Sequence, residues 1–350
     1  MNVKSITIKN FRNHSYRTFK FDKGLNIITG PNGAGKTNVA EAIYYLSLGK
    51  SFRSLEEDSL IKEGKTSAEI SAVIEEGQIN RKIDIIITPK GRQVLINNKK
   101  ALKLSELSRC VNVLLFEPKD VLLFKGSPKN RRDFLDINIS KLHNSYLELI
   151  TRYEKVLKQR NDALKLDNPD NVLLDTLADM LIDLSKSVII YRQKFVKDIN
   201  DILIKLTRAL TGVNSEIKIS YKPFVEVDAN YETNAKNAFI RALDGDLKKK
   251  ATSIGVHRED FSIALNEREI GEFGSQGQNR MIALLLKISP YFLVEDKDKH
   301  PIIVLDDVMS ELDQSHRLKL VQLLSKFEQV FITATRLEVK DASTHYRLNK

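Results

Sequence analysis

Gly30-Pro31-Asn32-Gly33-Ala34-Gly35-Lys36-Thr37 fits G-x-x-x-x-G-K-[ST], and the reading of this stretch decides the fold. Before it, Leu25-Asn26-Ile27-Ile28 is an apolar run of strand type; after it, Val39, Ala42, Ile43 and Leu46 recur at helical spacing. A glycine-rich loop between a buried strand and a helix is a phosphate-binding loop. Gly30, Gly33 and Gly35 let the backbone turn and offer N–H groups to phosphate oxygens, while the following helix brings its positive end to the same anion. Lys36 adds a full charge, and Thr37 a hydroxyl for Mg²⁺. The expected nucleotide-binding set is therefore Gly30, Pro31, Asn32, Gly33, Ala34, Gly35, Lys36, Thr37 and Asn38, with ATP and Mg²⁺ as cofactors.

Working outward, Pro301-Ile302-Ile303-Val304-Leu305-Asp306-Asp307 is a buried strand that ends in two carboxylates. Hard oxygen ligands at the end of such a strand suit Mg²⁺, so Asp306 joins Thr37 as an expected metal group. Asp307 is expected to orient or deprotonate an attacking water, and Lys36 and Asp307 are the expected catalytic pair. Upstream lies Phe273-Gly274-Ser275-Gln276-Gly277-Gln278, small and amide residues that open a helix and form a second anion-binding surface.

The chain between these motifs is organised in blocks. Val3 to Ile8 and Phe19 to Phe21 read as strands, and Ser54 with Glu57 as a capping box for a short helix. Ala68 to Ile96 alternates with period two around Glu76-Gly77 and Pro89-Lys90-Gly91, which predicts an antiparallel meander. From Ser127, with Pro128 at the first helical position, one helix carries a heptad stripe through Leu135, Leu142, Leu149 and Val156 until Asp167-Asn168-Pro169-Asp170 breaks it. A second stripe, Leu174, Leu181, Val188, Phe195 and Ile202, predicts a partner that folds back as an antiparallel pair. The expected fold is α/β: an ABC-type P-loop ATPase head with an antiparallel β meander and an inserted α-helical arm. Its head is expected at 1–116 and 251–350, and the inserted, mainly helical domain at 117–250.

Composition bounds the class. The 350 residues are 42% hydrophobic and 29% charged, a soluble globular balance with room for roughly two domains. No apolar run nears the ~20 residues of a membrane span, so no membrane partner is expected. Met1 to Phe21 has no continuous hydrophobic region of the secretory kind, and the lone Cys110 excludes an intramolecular disulfide; a cytoplasmic setting is expected. Lys and Arg total 56 against 46 Asp and Glu, a surplus of +10 that favours polyanionic partners. Lys50, Arg53, Lys129, Arg131 and Arg132 are the candidate DNA-binding groups, although Arg131 and Arg132 suit equally well a role holding the arm to the head through Asp or Glu partners.

The order of parts resembles the RecF family, whose ATPase heads are related to those of SMC proteins. The resemblance runs from Ile6 to about Thr335. It is carried by Lys9-Asn10-Phe11-Arg12-Asn13, Gly30 to Thr37, Leu46 to Arg53, Lys125 to Pro128, Arg131 to Asp136, Ser275 to Gln278 and Leu305 to Asp313. It implies a homodimer formed on ATP binding, each nucleotide held by the phosphate loop of one copy and by a signature, Ser275, Gln276, Gly277 and Gln278, of the other. By the same resemblance Arg12 and Asn13 lie close to the nucleotide, and Ser310 and Asp313, in the D-loop, lie where the two copies meet. It implies double-stranded and gapped DNA as partners, cooperation with RecR, and help in loading the recombinase RecA, with slow, DNA-stimulated ATP hydrolysis. Gly255-Val256-His257-Arg258-Glu259-Asp260 departs from the family's Gly-Pro-His-Arg-Asp-Asp, and Lys119 stands where it has an acid. An SMC-like structural head, or an anti-phage ATPase with no role in recombinase loading, is the alternative; a transporter ATPase would need the signature Leu-Ser-Gly-Gly-Gln, which Gly274 to Gln278 lacks.

Overall fold

The computed structural model describes the chain apart from Leu122, Phe124, Lys125, 212–216, Gly274, Ser275, Ser310, Glu311, Asp313, Glu338, Lys340, Asp341 and Lys350, and apart from the side chains of Ser105, Thr211, Phe273, Gln276, Lys297 and Ser315. It forms two compact units, one of Met1–Asp120, Leu206–Val213 and Gln276–Lys350, the other of Val121–Lys205 and Asn214–Ser275.

Two sheets build the first unit. The antiparallel one runs β2 (His14–Lys20), β1 (Asn2–Phe11), β4 (Ala68–Glu76), β5 (Ile79–Thr88), β6 (Gly91–Ile96), β7 (Lys99–Lys100). The period-two stretch thus forms the expected meander, and β4 pairs directly with β1, Ile8 opposite Ile70. The second sheet is parallel, in the order β14 (Thr344–Arg347), β3 (Gly24–Thr29), β13 (Gln329–Ala334), β12 (Ile302–Asp306), β8 (Val113–Phe116). Every residue of β12 and β13 is buried, as continuous apolar strands of parallel sheets are. Gln329, Asp306 and Thr333 are the polar residues in them; the Gln329 amide is matched by the Val3 backbone and the Asp22 carbonyl.

Helix α1 (Lys36–Leu48) belongs to the core shared by both sheets. Val39, Ala42, Ile43 and Leu46 pack with Ile6, Ile8, Ile70 and Ile85 of the antiparallel sheet and with Ile28, Val304 and Phe331 of the parallel one. Each Val, Leu, Ile or Phe side chain among them contributes about 1.5–3 kcal/mol when fully buried. Gly49 ends the helix at φ 61°, its N–H on the Tyr45 carbonyl, a conformation that costs glycine little. The short helix expected after Ser54 is a 3-10 turn, Glu57–Leu60, without a side-chain cap. Ser54 Oγ accepts the Glu56 N–H instead, and Glu57 is taken by Tyr45 and Arg92.

In the second unit the first heptad stripe forms two helices, Pro128–Leu142 and Asn144–Ala163, instead of one. His143 between them is extended, at φ −133° and ψ 107°. The break brings Asp136 of one helix and the Tyr146 hydroxyl of the next together on the buried Arg192. Asn171–Thr211, 41 residues long, carries the second stripe, and its residues from Leu206 on belong to the first unit. Ser145 meets Tyr191 at one end, and Leu164 packs with Leu174 at the other, so the pair is antiparallel as expected.

Residues 251–275, expected with the head, lie in this second unit. The reason is strand pairing: β10 (Asp260–Leu265) runs antiparallel to β9 (Ile217–Lys222), with β11 (Arg268–Glu269) on its other edge. Helix Tyr231–Lys249 joins the same unit through Arg160, which donates to Asp246 and Thr252. Among the described residues, no helix is long and apolar enough to cross a membrane.

Candidate nucleotide site

The phosphate loop leaves β3 at Thr29 and enters α1 at Lys36. Gly30, Gly33 and Gly35 have φ of 154°, 84° and 92°, in the region open to glycine. At Gly30 space also decides, because a Cβ there would stand 2.4 Å from the Leu348 carbonyl oxygen. Lys36 is buried and folds back over the loop, donating to the carbonyls of Gly30 (2.9 Å) and Pro31 (3.0 Å).

The acidic strand meets this loop as the motifs foretell. Thr37 Oγ1 donates to Asp306 Oδ1 at 3.0 Å, and Thr333 Oγ1 to the same oxygen at 2.6 Å. Burial pushes the Asp306 carboxyl above the usual carboxylate range; the two hydroxyls oppose that shift and neighbouring Asp307 adds to it. Asp307 takes φ 51°, a left-handed conformation uncommon outside glycine but open to Asp more than to most residues, with its N–H on Thr333. It lines a small cavity with Phe116, Arg280, Met281 and Leu284. Thr333 was not a candidate from sequence; its signal is a hydroxyl ending the neighbouring buried strand.

The turn between β1 and β2 closes the other side. Asn13 Nδ2 donates to the Gly33 carbonyl at 3.1 Å, and Asn38 Nδ2 to Asn13 Oδ1 at 2.7 Å. Arg12 sits beside α1 with its donors committed: a two-pronged bond to Glu41 at 2.9 and 2.6 Å, and a third to the Ser59 carbonyl. Glu41 is fully buried and also accepts from Ser51. Arg53, expected among DNA-binding groups, donates to Asn38 and lies 3.6 Å from Glu41. Neither Glu41 nor His14, which reaches the Gly35 carbonyl, was singled out from sequence, since both act through contacts between distant segments.

The remaining candidates fall elsewhere. Gly277 and Gln278 are exposed in the first turn of the helix Gln276–Ile288, whereas Ser275, Ser310, Asp313 and the Gln276 side chain lie outside the described residues. Lys50 and Lys129 are exposed. Arg131 is held by both Asp260 oxygens at 2.6 and 2.8 Å and by the Leu123 and Gly126 carbonyls, and Arg132 by the Glu259 carbonyl. These contacts of Arg131 and Arg132 lie within the second unit. His257 is bonded to Tyr153 and to the Thr252 carbonyl, and burial lowers its pKa to about 4.

A phosphate loop on a parallel sheet, an acidic strand two places away and an antiparallel sheet over the same helix define an ATPase head of the ABC type. The model of the RecF/RecN/SMC N-terminal domain family matches residues 2–350. A DNA replication and repair protein RecF of Lactococcus lactis subsp. lactis is 35% identical over 341 residues, 97% of this chain and 94% of its own. One of Streptococcus pneumoniae (strain CGSP14) is 36% identical over 340 residues, 96% of this chain and 93% of its own. A solved structure of the recombination mediator protein RecF with ATPrS superposes with TM-score 0.87 at 29% identity, covering 99% of this chain and 95% of that one. An Smc head bound to the C-winged helix domain of ScpA shares the fold at TM-score 0.58 and 15% identity, with 95% and 89% covered. The chain belongs to the RecF family.

Proposed function

We propose that this chain is a cytoplasmic DNA-repair ATPase whose copies pair when each head holds ATP, closing on double-stranded or gapped DNA, and that with RecR it helps load the recombinase RecA on gaps. The observation that carries the enzymatic part is the 3.0 Å bond from Thr37 to Asp306, which joins the phosphate loop to the acidic strand across 269 residues of sequence. Family membership carries the DNA-repair part.

The donor set fits Mg²⁺: a hydroxyl and a buried carboxylate, both hard oxygens, with the carboxylate favoured once a cation relieves its burial. When bound there, Mg²⁺ would neutralise charge on the β- and γ-phosphate oxygens. The chain's own residues do the rest. Lys36 exchanges its carbonyl partners for phosphate oxygens. Asp307 orients a water; as its oxygen attacks the γ-phosphorus, the proton passes to the Asp307 carboxylate and the bond to ADP breaks, ADP keeping the electron pair. Ser275, Gly277 and Gln278 of the facing copy complete the γ-phosphate's surroundings, and Ser310 and Asp313 lie at the seam. The net charge of +10, with exposed Lys50 and Lys129, suits a phosphate backbone.

Phosphate release by the purified chain, with and without duplex DNA, tests this reading. Slow release that rises with DNA is expected; Lys36→Ala abolishes ATP binding, and Asp307→Asn keeps binding but loses release. Release that is absent at every DNA concentration would overturn the ATPase mechanism.

A further inference from the structure

His14 opens β2 and is buried, 4% exposed, although nothing in the reading of the nucleotide site assigns it a task. Its Nε2 lies 3.1 Å from the Gly35 carbonyl oxygen. The contact is a close-packed cradle: a Cβ on Gly35 would stand 2.6 Å from His14 Cε1, His14 Nε2 and Asn13 Oδ1. Gly35 is the residue before Lys36, and its carbonyl already accepts the N–H groups of Asn38 and Val39 at the start of α1.

In a planar trans peptide, the carbonyl of one residue and the N–H of the next point in opposite directions. Whatever fixes the Gly35 carbonyl along the helix therefore aims the Lys36 N–H the other way, out of the helix N-terminus towards the bound phosphate. Three donors converge on that oxygen, and His14 is the one that comes from outside the loop and its helix. Burial lowers the His14 pKa, helped by nearby Arg17 and Lys62, which favours the neutral ring with one N–H to give. Asn13 holds the Gly33 carbonyl at 3.1 Å from the same turn, so two consecutive residues grip alternate glycines of the loop.

We propose that His14 is a positioning residue of the nucleotide site, acting through the Gly35 carbonyl to hold the Lys36 N–H on the phosphate. The proposal rests on the reading of Gly30 to Thr37 as the ATP site. Its test is ATP binding by calorimetry and steady-state hydrolysis for the wild type, His14→Leu and His14→Gln. Leucine fills the space without a donor; glutamine keeps an amide N–H of similar reach. Loss of one buried hydrogen bond predicts ATP affinity weakened about threefold to tenfold in His14→Leu, seen mainly in KM, with His14→Gln within about twofold of wild type. His14→Asn, too short to reach, should match leucine and stands in if the leucine variant does not fold.

Equal ATP affinity in wild type and His14→Leu, with only the melting temperature lowered, would overturn the proposal and leave His14 as packing. Equal weakening by leucine and glutamine would overturn it too, since shape and not the donor would then matter. A wild type that binds no ATP would overturn the parent reading itself, a result distinct from either.

Discussion

At Asp306 stability and function pull apart. Its charge is buried beside another acid, and both of its hydroxyl partners donate to one oxygen, Oδ1, which an asparagine would also supply. Asp306→Asn should therefore keep both bonds, lose metal-dependent hydrolysis, and raise the melting temperature of the nucleotide-free chain by about 2 °C at pH 7. The pH dependence follows from the raised folded pKa: the native carboxyl holds its proton more tightly than the unfolded one, so the penalty is fully present above the folded pKa and fades as pH falls towards the unfolded value, about 3.9. Thermal melts of both proteins from pH 4 to 8 should converge at the acid end. Gly35→Ala tests the loop from the other side. A left-handed alanine costs about 1–2 kcal/mol, and its Cβ would collide with His14 and Asn13. ATP affinity measured by calorimetry should drop more than about tenfold. Gly30 to Thr37, Asp306 and Asp307 were legible because each motif is local in sequence. Thr333, Glu41 and His14 were not, because their partners lie on a neighbouring strand, in the turn between β1 and β2, and in the phosphate loop, and no spacing encodes those meetings.

At the scale of elements, periodicity was legible wherever one face is buried over several turns. The meander from Ala68 to Ile96 and both stripes of the arm are of that kind. A break of one residue leaves the period intact, which is why His143 was hidden inside a heptad run that continues through Tyr146 and Tyr153. The ion pair Arg160–Asp246, with side chains 2% and 0% exposed, ties the helix Asn144–Ala163 to Tyr231–Lys249. Asp246 also accepts from the Ser253 backbone and hydroxyl. Removing one member of a buried pair strands the other, so Asp246→Ala should cost about 3–5 kcal/mol of unfolding free energy, read from denaturant melts. ATP binding in the other unit should change little.

For the whole molecule, the position of 251–275 was the part the sequence concealed. Those residues follow the helical segment in order, yet β10 finds its partner in β9, and strand pairing at that distance leaves no local mark. DNA binding belongs to this scale as well. With a surplus of +10 and contacts to phosphates, log affinity for duplex DNA should fall linearly with log salt; a flat response between 50 and 200 mM would count against backbone contacts. Ser275→Arg should leave ATP binding intact and prevent pairing of the heads.

Sedimentation equilibrium of Asp307→Asn, run with and without ATP and Mg²⁺, asks whether each head supplies half of a shared centre. The mass should double from the 39.9 kDa of one chain when nucleotide is present, and Lys36→Ala in the same background should abolish the doubling. A single-chain mass in every nucleotide state would contradict the account.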